Sequence, residues 1–258
     1  MKRALLLLGL AGACAAPRAE RPHAPPRPAD LLAALRDRSA RIRSIRAEAR
    51  IDHRGEAGRL RATILLIAER PGRLRLDALS PFGSPVASLA TDGETVGYLD
   101  RDGGRFVRGP ARACTLAWLV RLPLGPEQAV EVLLGGVPLI DVAATENRWD
   151  GRARAELLDI RDAAGASQQV WLSGTAGRWT PHKSEIHEAS GGLRWRVEHQ
   201  DWRTLAGIPM PRQTRVTDGR RADMRIDYRE QQVNPTLSRG AFATGAPPGV
   251  PVEESDCE

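Results

Sequence analysis

Arg59 to Leu79 reads RLRATILLIAERPGRLRLDAL, and its apolar residues recur with a period of two. Leu60, Ala62, Ile64 and Leu66 fall on one face, with Arg59, Arg61 and Thr63 on the other. Beyond Pro71-Gly72, Leu74, Leu76 and Ala78 alternate with Arg73, Arg75 and Asp77. Successive side chains of a strand point to opposite faces, so this pattern describes a strand with one buried side. The proline-glycine pair supplies the turn. The stretch therefore predicts two antiparallel strands that turn their apolar faces to one core.

The same pattern continues on the C-terminal side. SPVASLATDGETVGYLDRDGGRFVRG holds short strands punctuated by Asp92-Gly93 and Asp102-Gly103-Gly104, both hairpin signals. From Asn147 onward come RAELLDIRD, SQQVWLS, HKSEIHEA, GLRWRVEHQDW, PRQTRVTD and ADMRIDYRE. Leu193, Trp195, Val197 and His199 face inward against Arg194, Arg196, Glu198 and Gln200, and Met224, Ile226 and Tyr228 repeat the pattern. Turn signals about every ten residues favour one antiparallel sheet that curls.

Three segments break the period. ADLLAALRDRSARIRSI carries Leu31, Leu32, Leu35, Ile42 and Ile45 at near-helical spacing, with Asp30 as the expected N-cap. Two short apolar helices are expected mid-chain, over Thr115 to Val120 and Pro126 to Leu134; Pro126 suits a first helical position and Gly135 a stop. The predicted fold is mainly β: an open, curved, antiparallel barrel-like sheet, with the N-terminal and mid-chain helices covering its concave face. Such a sheet fills its interior with side chains or leaves a ligand cavity. The candidate wall and lid residues are Ile64, Leu66, Leu74, Leu76, Trp118, Leu119, Leu133, Leu134, Trp195 and Val197, with Trp171 and Trp202 as core or wall. An acyl chain is a compatible guest.

The N-terminus bears on the compartment. MKRALLLLGLAGACAAP has Lys2 and Arg3, an apolar run from Ala4 to Leu10 and small residues ending in Cys14, the makings of a secretory signal too short to span a bilayer. Cysteine after Ala11-Gly12-Ala13 resembles the lipobox of bacterial lipoproteins, although Ala11 stands where leucine is usual. That resemblance implies a diacylglycerol thioether on Cys14; the alternative is an ordinary secretory signal with Cys14 incidental. Residues 1–13 are then the signal and 14–29 a Pro/Arg-rich extended tether. Residues 30–236 form the folded domain and 237–258 a disordered tail. Net charge is +6, almost all of it arginine interleaved with acids, since Lys2 and Lys183 are the only lysines. No nucleic-acid motif accompanies that charge. Three cysteines give no disulfide framework, although Cys114 and Cys257 are free to pair if Cys14 is acylated.

At RPGRLRLDALSPFGSPVASLATDGETVGYLD, Arg70 to Asp100, the chain resembles LolB and other LolA/LolB-like lipoproteins. There a strand leads into a Pro-apolar-Gly loop, here Pro81-Phe82-Gly83. The resemblance continues through LLGGVP at Leu133 to Pro138 and through LRWRVEHQDWRTLAGIPMPRQTRVTDG, where His199 replaces the usual aromatic. It implies an open barrel with a helical lid and an apolar cavity for lipoprotein acyl chains. It also implies anchorage on the periplasmic face of the outer membrane, and acylated cargo or a LolA-like carrier as partner. Phe82 is then the membrane-inserting tip of a protruding loop; otherwise its ring folds back onto the sheet.

No cofactor, metal site or catalytic set is expected. His182 and His187 flank Glu185 but lie an odd number of residues apart, which sends them to opposite faces of a strand. His53 and His199 read as solvated or pocket-lining. Trp171 to Gly177 lacks a nucleophile elbow, and no phosphate-binding glycine pattern is present. A non-enzymatic acyl carrier is the first reading. A structural or assembly lipoprotein with a filled core, binding a protein partner, is the second.

Overall fold

In the computed structural model the described residues are 19–55, 58–120, 124–175, 177–220 and 222–255. Cys14, the signal and Cys257 lie outside them. Fourteen strands form one sheet in the order β14-β6-β5-β4-β3-β2-β1-β13-β12-β11-β10-β9-β8-β7. The quoted stretch is β2 (Gly58–Glu69) and β3 (Arg73–Leu79), paired antiparallel from Thr63 opposite Leu79 to Glu69 opposite Arg73. Their turn contains a cis Arg70–Pro71 peptide. Strands β4 (Pro85–Thr91), β5 (Thr95–Asp100) and β6 (Arg105–Pro110) extend the sheet on one side. The other half runs through β7 (Ala144–Asp150), β8 (Ala155–Arg161), β9 (Ser167–Thr175) and β10 (Arg178–His187). It continues with β11 (Leu193–Leu205), β12 (Ile208–Thr217) and β13 (Ala222–Val233).

The antiparallel registers divide the connections between two rims. The β1–β2, β3–β4, β5–β6, β8–β9, β10–β11 and β12–β13 turns share one, called here the upper rim. The β2–β3, β4–β5, β7–β8, β9–β10 and β11–β12 turns share the lower rim.

Sequence pattern and structure part first at the N-terminal helix. Helix α1 is Pro28–Arg41, with Pro28 at its first position and Asp30 in the first turn, paired with Arg27, so Asp30 is not the N-cap. The helix stops before Ile45, which belongs to a strand not foreseen, β1 (Ser44–Gly55). Here the inward positions are Ile45, Ala47, Ala49, Ile51 and His53, alternating with Arg46, Glu48, Arg50, Asp52 and Arg54. Two alanines and a histidine make a weak apolar face, which is why an apolar scan passes over it. Yet β1 sits at the centre of the sheet, pairing with both β2 and β13.

Two apolar clusters fill the concave side. Leu31, Leu32 and Leu35 of α1 pack with Leu158, Ile160, Val170, Leu172 and Trp179 of β8–β10 in one apolar cluster. The other half is covered by α3 (Pro126–Leu133), whose Val130, Val132 and Leu133 join residues of β1–β5 and β11–β13. Glu131 ties α3 down, accepting from Ser39 at 2.9 Å and pairing with Arg70 at the β2–β3 turn. Helix α2 (Ala113–Val120) precedes it; the side chains of Trp118 and Leu119 lie outside the described part.

Residues 19–27 and 241–255 are more ordered than composition suggests. Residues 19–27 of the expected extended tether dock on the lower rim: Ala19 N–H donates to Gly151 O at 2.9 Å and Trp149 Nε1 to Ala19 O at 2.7 Å. Arg21 pairs with the fully buried Glu156 at 2.8 Å, and the His23 ring meets Trp149 and Trp179 edge-on. The expected disordered tail instead lies along the sheet. Ala241 and Phe242 are buried, Arg73 stacks over Phe242, and β14 (Val252–Glu254) pairs parallel with β6. Gly97 makes room for it, because a Cβ there would come within 2.7 Å of Thr244 O. Cys114 is disulfide-bonded.

Candidate functional site

An apolar cavity of about 570 Å³ opens in the half of the concave side covered by α3. Its inner wall is Leu74, Leu89 and Leu133, with Met224 and Ile226 from β13 and Ile51 from β1. Toward the upper rim the lining passes to Leu60, Arg61, Leu79, Ser80, Pro81 and Asp102. The volume lies within the range of about 300–1,000 Å³ typical of small-molecule pockets. The apolar alternation of β2 and β3 produces it: Ala62, Ile64, Leu74, Leu76 and Ala78 all point inward, and small Ala62, Ala78 and Ala87 leave the space unfilled.

Four of the ten residues singled out from the sequence line this cavity: Ile64, Leu74, Leu76 and Leu133. Leu66, Leu134, Trp195 and Val197 are instead closed core, each 1% exposed or less. Trp171 and Trp202 are not wall either. Trp171 donates to Asp150 at 3.0 Å under the Lys183 ammonium, and Trp202 packs edge-on to His182 and His199 with the Arg38 guanidinium over its ring. Ala78, Met224 and Ile226 were legible as inward strand residues but carried no sign of lining a void, because sequence shows which face a residue takes and not whether its neighbours fill the gap.

At the rim the Pro81-Phe82-Gly83 loop stands clear of the sheet. Phe82 is 96% exposed, so its ring is not folded back. The Ser80 hydroxyl accepts from Phe82 N–H at 3.3 Å and Ser84 N–H at 3.2 Å, and Gly83 N–H donates to Ser80 O at 3.0 Å. Gly83 has φ +84°, a conformation that favours glycine. Pro81 lines the cavity while Phe82 projects beyond it, so tip and mouth are adjacent.

Neither of the histidines read as solvated or pocket-lining is exposed to solvent. His53 is buried. His199 is 1% exposed; its Nε2 lies 2.8 Å from Gly136 O and its Nδ1 3.0 Å from Thr214 Oγ1. Burial pushes its pKa down to about 4, and the nearby Arg38 and His182 act the same way. His199 is one of several polar anchors of the segment leaving α3. Arg38 donates to Gly135 O, Gln168 Nε2 to Pro138 O at 2.7 Å, and Tyr228 Oη to Leu133 O at 3.3 Å. These bonds hold the inner end of the cavity in place. Among the described residues no group of three or more His, Cys, Asp or Glu is placed to hold a metal ion.

No family model matches the sequence, and no curated protein matches it either. Solved structures do. An outer-membrane lipoprotein-sorting protein domain from Vibrio parahaemolyticus superposes with a TM-score of 0.55 at 11% identity, covering 84% of this chain and 97% of that one. A LolA superfamily protein from Nitrosomonas europaea gives 0.54 at 11% identity, over 83% and 97% of the two chains. The fold is LolA-like. A DUF1329 family protein from Desulfovibrio piger shares it, with a TM-score of 0.58 at 14% identity over 83% and 95%. The cavity lies between the LolA-like sheet and α3, where the resemblance placed a lidded cavity.

Proposed function

We propose that the protein is a periplasmic, lipid-anchored acyl-chain carrier that helps receive or insert lipoproteins at the outer membrane. The observation that supports this most is the unfilled apolar cavity opening beside an exposed phenylalanine. The similarity in fold to a lipoprotein-sorting domain agrees with it. Transfer in this reading is physical: acyl chains leave one apolar environment for another, each buried methylene contributing about 0.8 kcal/mol. No covalent step or cofactor enters. Phe82 is assigned to enter the bilayer as a guest chain leaves the cavity, and Cys14 to carry the anchor. The filled-core alternative leaves the open apolar space under α3 without a role.

Filling the cavity tests the reading. Ala78→Phe projects a ring into the void from near the upper-rim end of β3. The variant is expected to fold with an unchanged circular dichroism spectrum and to lose displacement of a fluorescent fatty acid by palmitate. Undiminished palmitate binding by a folded Ala78→Phe protein would remove the cavity from the account.

A further inference from the structure

Two adjoining hollows of about 550 and 460 Å³ indent the outer face of the sheet just below the upper rim. They share Arg54, Arg215 and Asp223. The β1–β2 hairpin contributes Arg54, Arg59 and Arg61, and the β12–β13 hairpin Arg215, Arg220 and Arg225. Among the described residues Arg196 of β11 completes seven lining arginines, against Asp52 and Asp223 as the lining carboxylates. The register places Arg54 directly opposite Arg59 and Arg215 directly opposite Arg225, pairings that disfavour a sheet unless counter-charge is present. That counter-charge is incomplete. Asp52 serves both Arg59 and Arg61, Asp223 serves Arg215, Asp227 pairs with Arg225 at 2.9 Å and Glu185 with Arg196 at 2.7 Å, which leaves two of the seven. Among the described residues Arg54 and Arg220 have no carboxylate within ion-pair distance. The carboxyls of Asp52 and Asp223 are held below their usual range by those arginines, so the balance of charge is fixed at any physiological pH.

We infer that this arginine face is a docking surface for an anionic phospholipid bilayer. Arg61 lines both the cavity mouth and one of the arginine hollows, so the two features adjoin on either side of β2. Leu60, 56% exposed, and Phe82 stand on the same rim. Neighbouring strands are about 4.8 Å apart, so the loop bearing Phe82 and the two arginine hairpins, on six adjacent strands, span roughly 24 Å of the rim. Apolar tips beside guanidinium groups match a surface with phosphates outside and acyl chains beneath, a combination that neither a free phosphate nor an acidic polypeptide offers. The arginines supply attraction over about a Debye length and headgroup hydrogen bonds at contact. The inference adds to the carrier reading and does not require the cavity to be occupied.

The test uses the full chain with Cys14→Ala, so that no acyl anchor contributes, and vesicles of phosphatidylcholine alone or with about one third phosphatidylglycerol. Sedimentation at about 50 mM salt is expected to show at least about tenfold tighter partition onto the anionic vesicles, shrinking toward parity at ~0.5 M. Arg54→Glu and Arg220→Glu are each expected to weaken anionic partition about fivefold or more, with palmitate binding unchanged. Ala78→Phe is expected to dock normally, which separates failure of this inference from failure of the carrier reading. Equal partition onto both vesicle types, or charge reversals without effect, would overturn it. So would loss of vesicle binding in millimolar glycerol phosphate, which marks a soluble-anion site, or retention by polyglutamate with no vesicle preference, which marks an acidic protein partner.

Discussion

Phe82 and His199 show how differently two single residues are read. A phenylalanine between prolines and a glycine announces a loop, but only the structure shows its ring 96% exposed, held out by the Ser80 hydroxyl and a left-handed Gly83. Phe82→Glu therefore removes no core contact and is expected to change stability by less than about 0.5 kcal/mol. Its expected effect is on delivery of an acylated cargo into vesicles, measured beside an unchanged melting curve; a large fall in melting temperature would show the ring to be structural. His199 was legible as an inward residue of β11, and its two hydrogen-bond partners were not, since Gly136 lies far away in sequence. Its pKa is lowered from 6.5 to about 4, so across that interval the unfolded chain holds a proton that the native chain refuses. Stability is complete above about pH 6.5, falls as pH drops through the window and levels off below about 4, a loss of roughly 3 kcal/mol. His182, lowered by burial, adds in the same direction. His199→Gln is expected to flatten the pH dependence of the urea midpoint, and an unchanged slope would assign it to other groups.

At the scale of elements, the period-two stretches were read correctly because large apolar residues mark one face. Strand β1 escaped because Ala47 and Ala49 do not, although both are buried at the centre of the sheet. The same smallness of alanine opens the cavity through Ala62, Ala78 and Ala87, so a weak apolar pattern was also the only sequence trace of the void. The tail was misread for a different reason. Its Pro/Gly content rules out a self-contained element, but β14 takes its hydrogen bonds from β6 and Phe242 its packing from Arg73 and the sheet. Gly97→Ala tests that dependence, since the new methyl would meet Thr244 O at 2.7 Å and the Phe106 ring at 2.6 Å. The expected result is a loss of about 1–3 kcal/mol with faster amide exchange over residues 241–255; exchange confined to β5 would mean that the tail does not depend on this contact.

For the whole molecule, the two rims pose a geometric condition on the proposed anchor. Residues 19–27 dock on the lower rim, while Phe82 and the cavity mouth stand on the upper one. A twelve-residue strand such as β2 rises about 40 Å, whereas the five residues from Cys14 to Ala19 reach at most about 17 Å. An acyl chain on Cys14 therefore brings Phe82 to its own bilayer only when the strap leaves the lower rim. Freeing it with Arg21→Ala, His23→Ala and Glu156→Gln together, the last to avoid an unpaired buried carboxylate, is expected to increase quenching of a Phe82→Trp reporter by brominated lipid in anchored protein. Unchanged quenching would mean that the docked strap does not limit access. The proposed carrier function rests on the cavity under α3 holding an acyl chain. Native mass spectrometry of the full chain carrying Cys14→Ala, purified without detergent, tests that most directly: the account predicts a bound fatty-acyl species that Ala78→Phe abolishes, and a wild-type cavity that stays empty even after incubation with palmitate would contradict it.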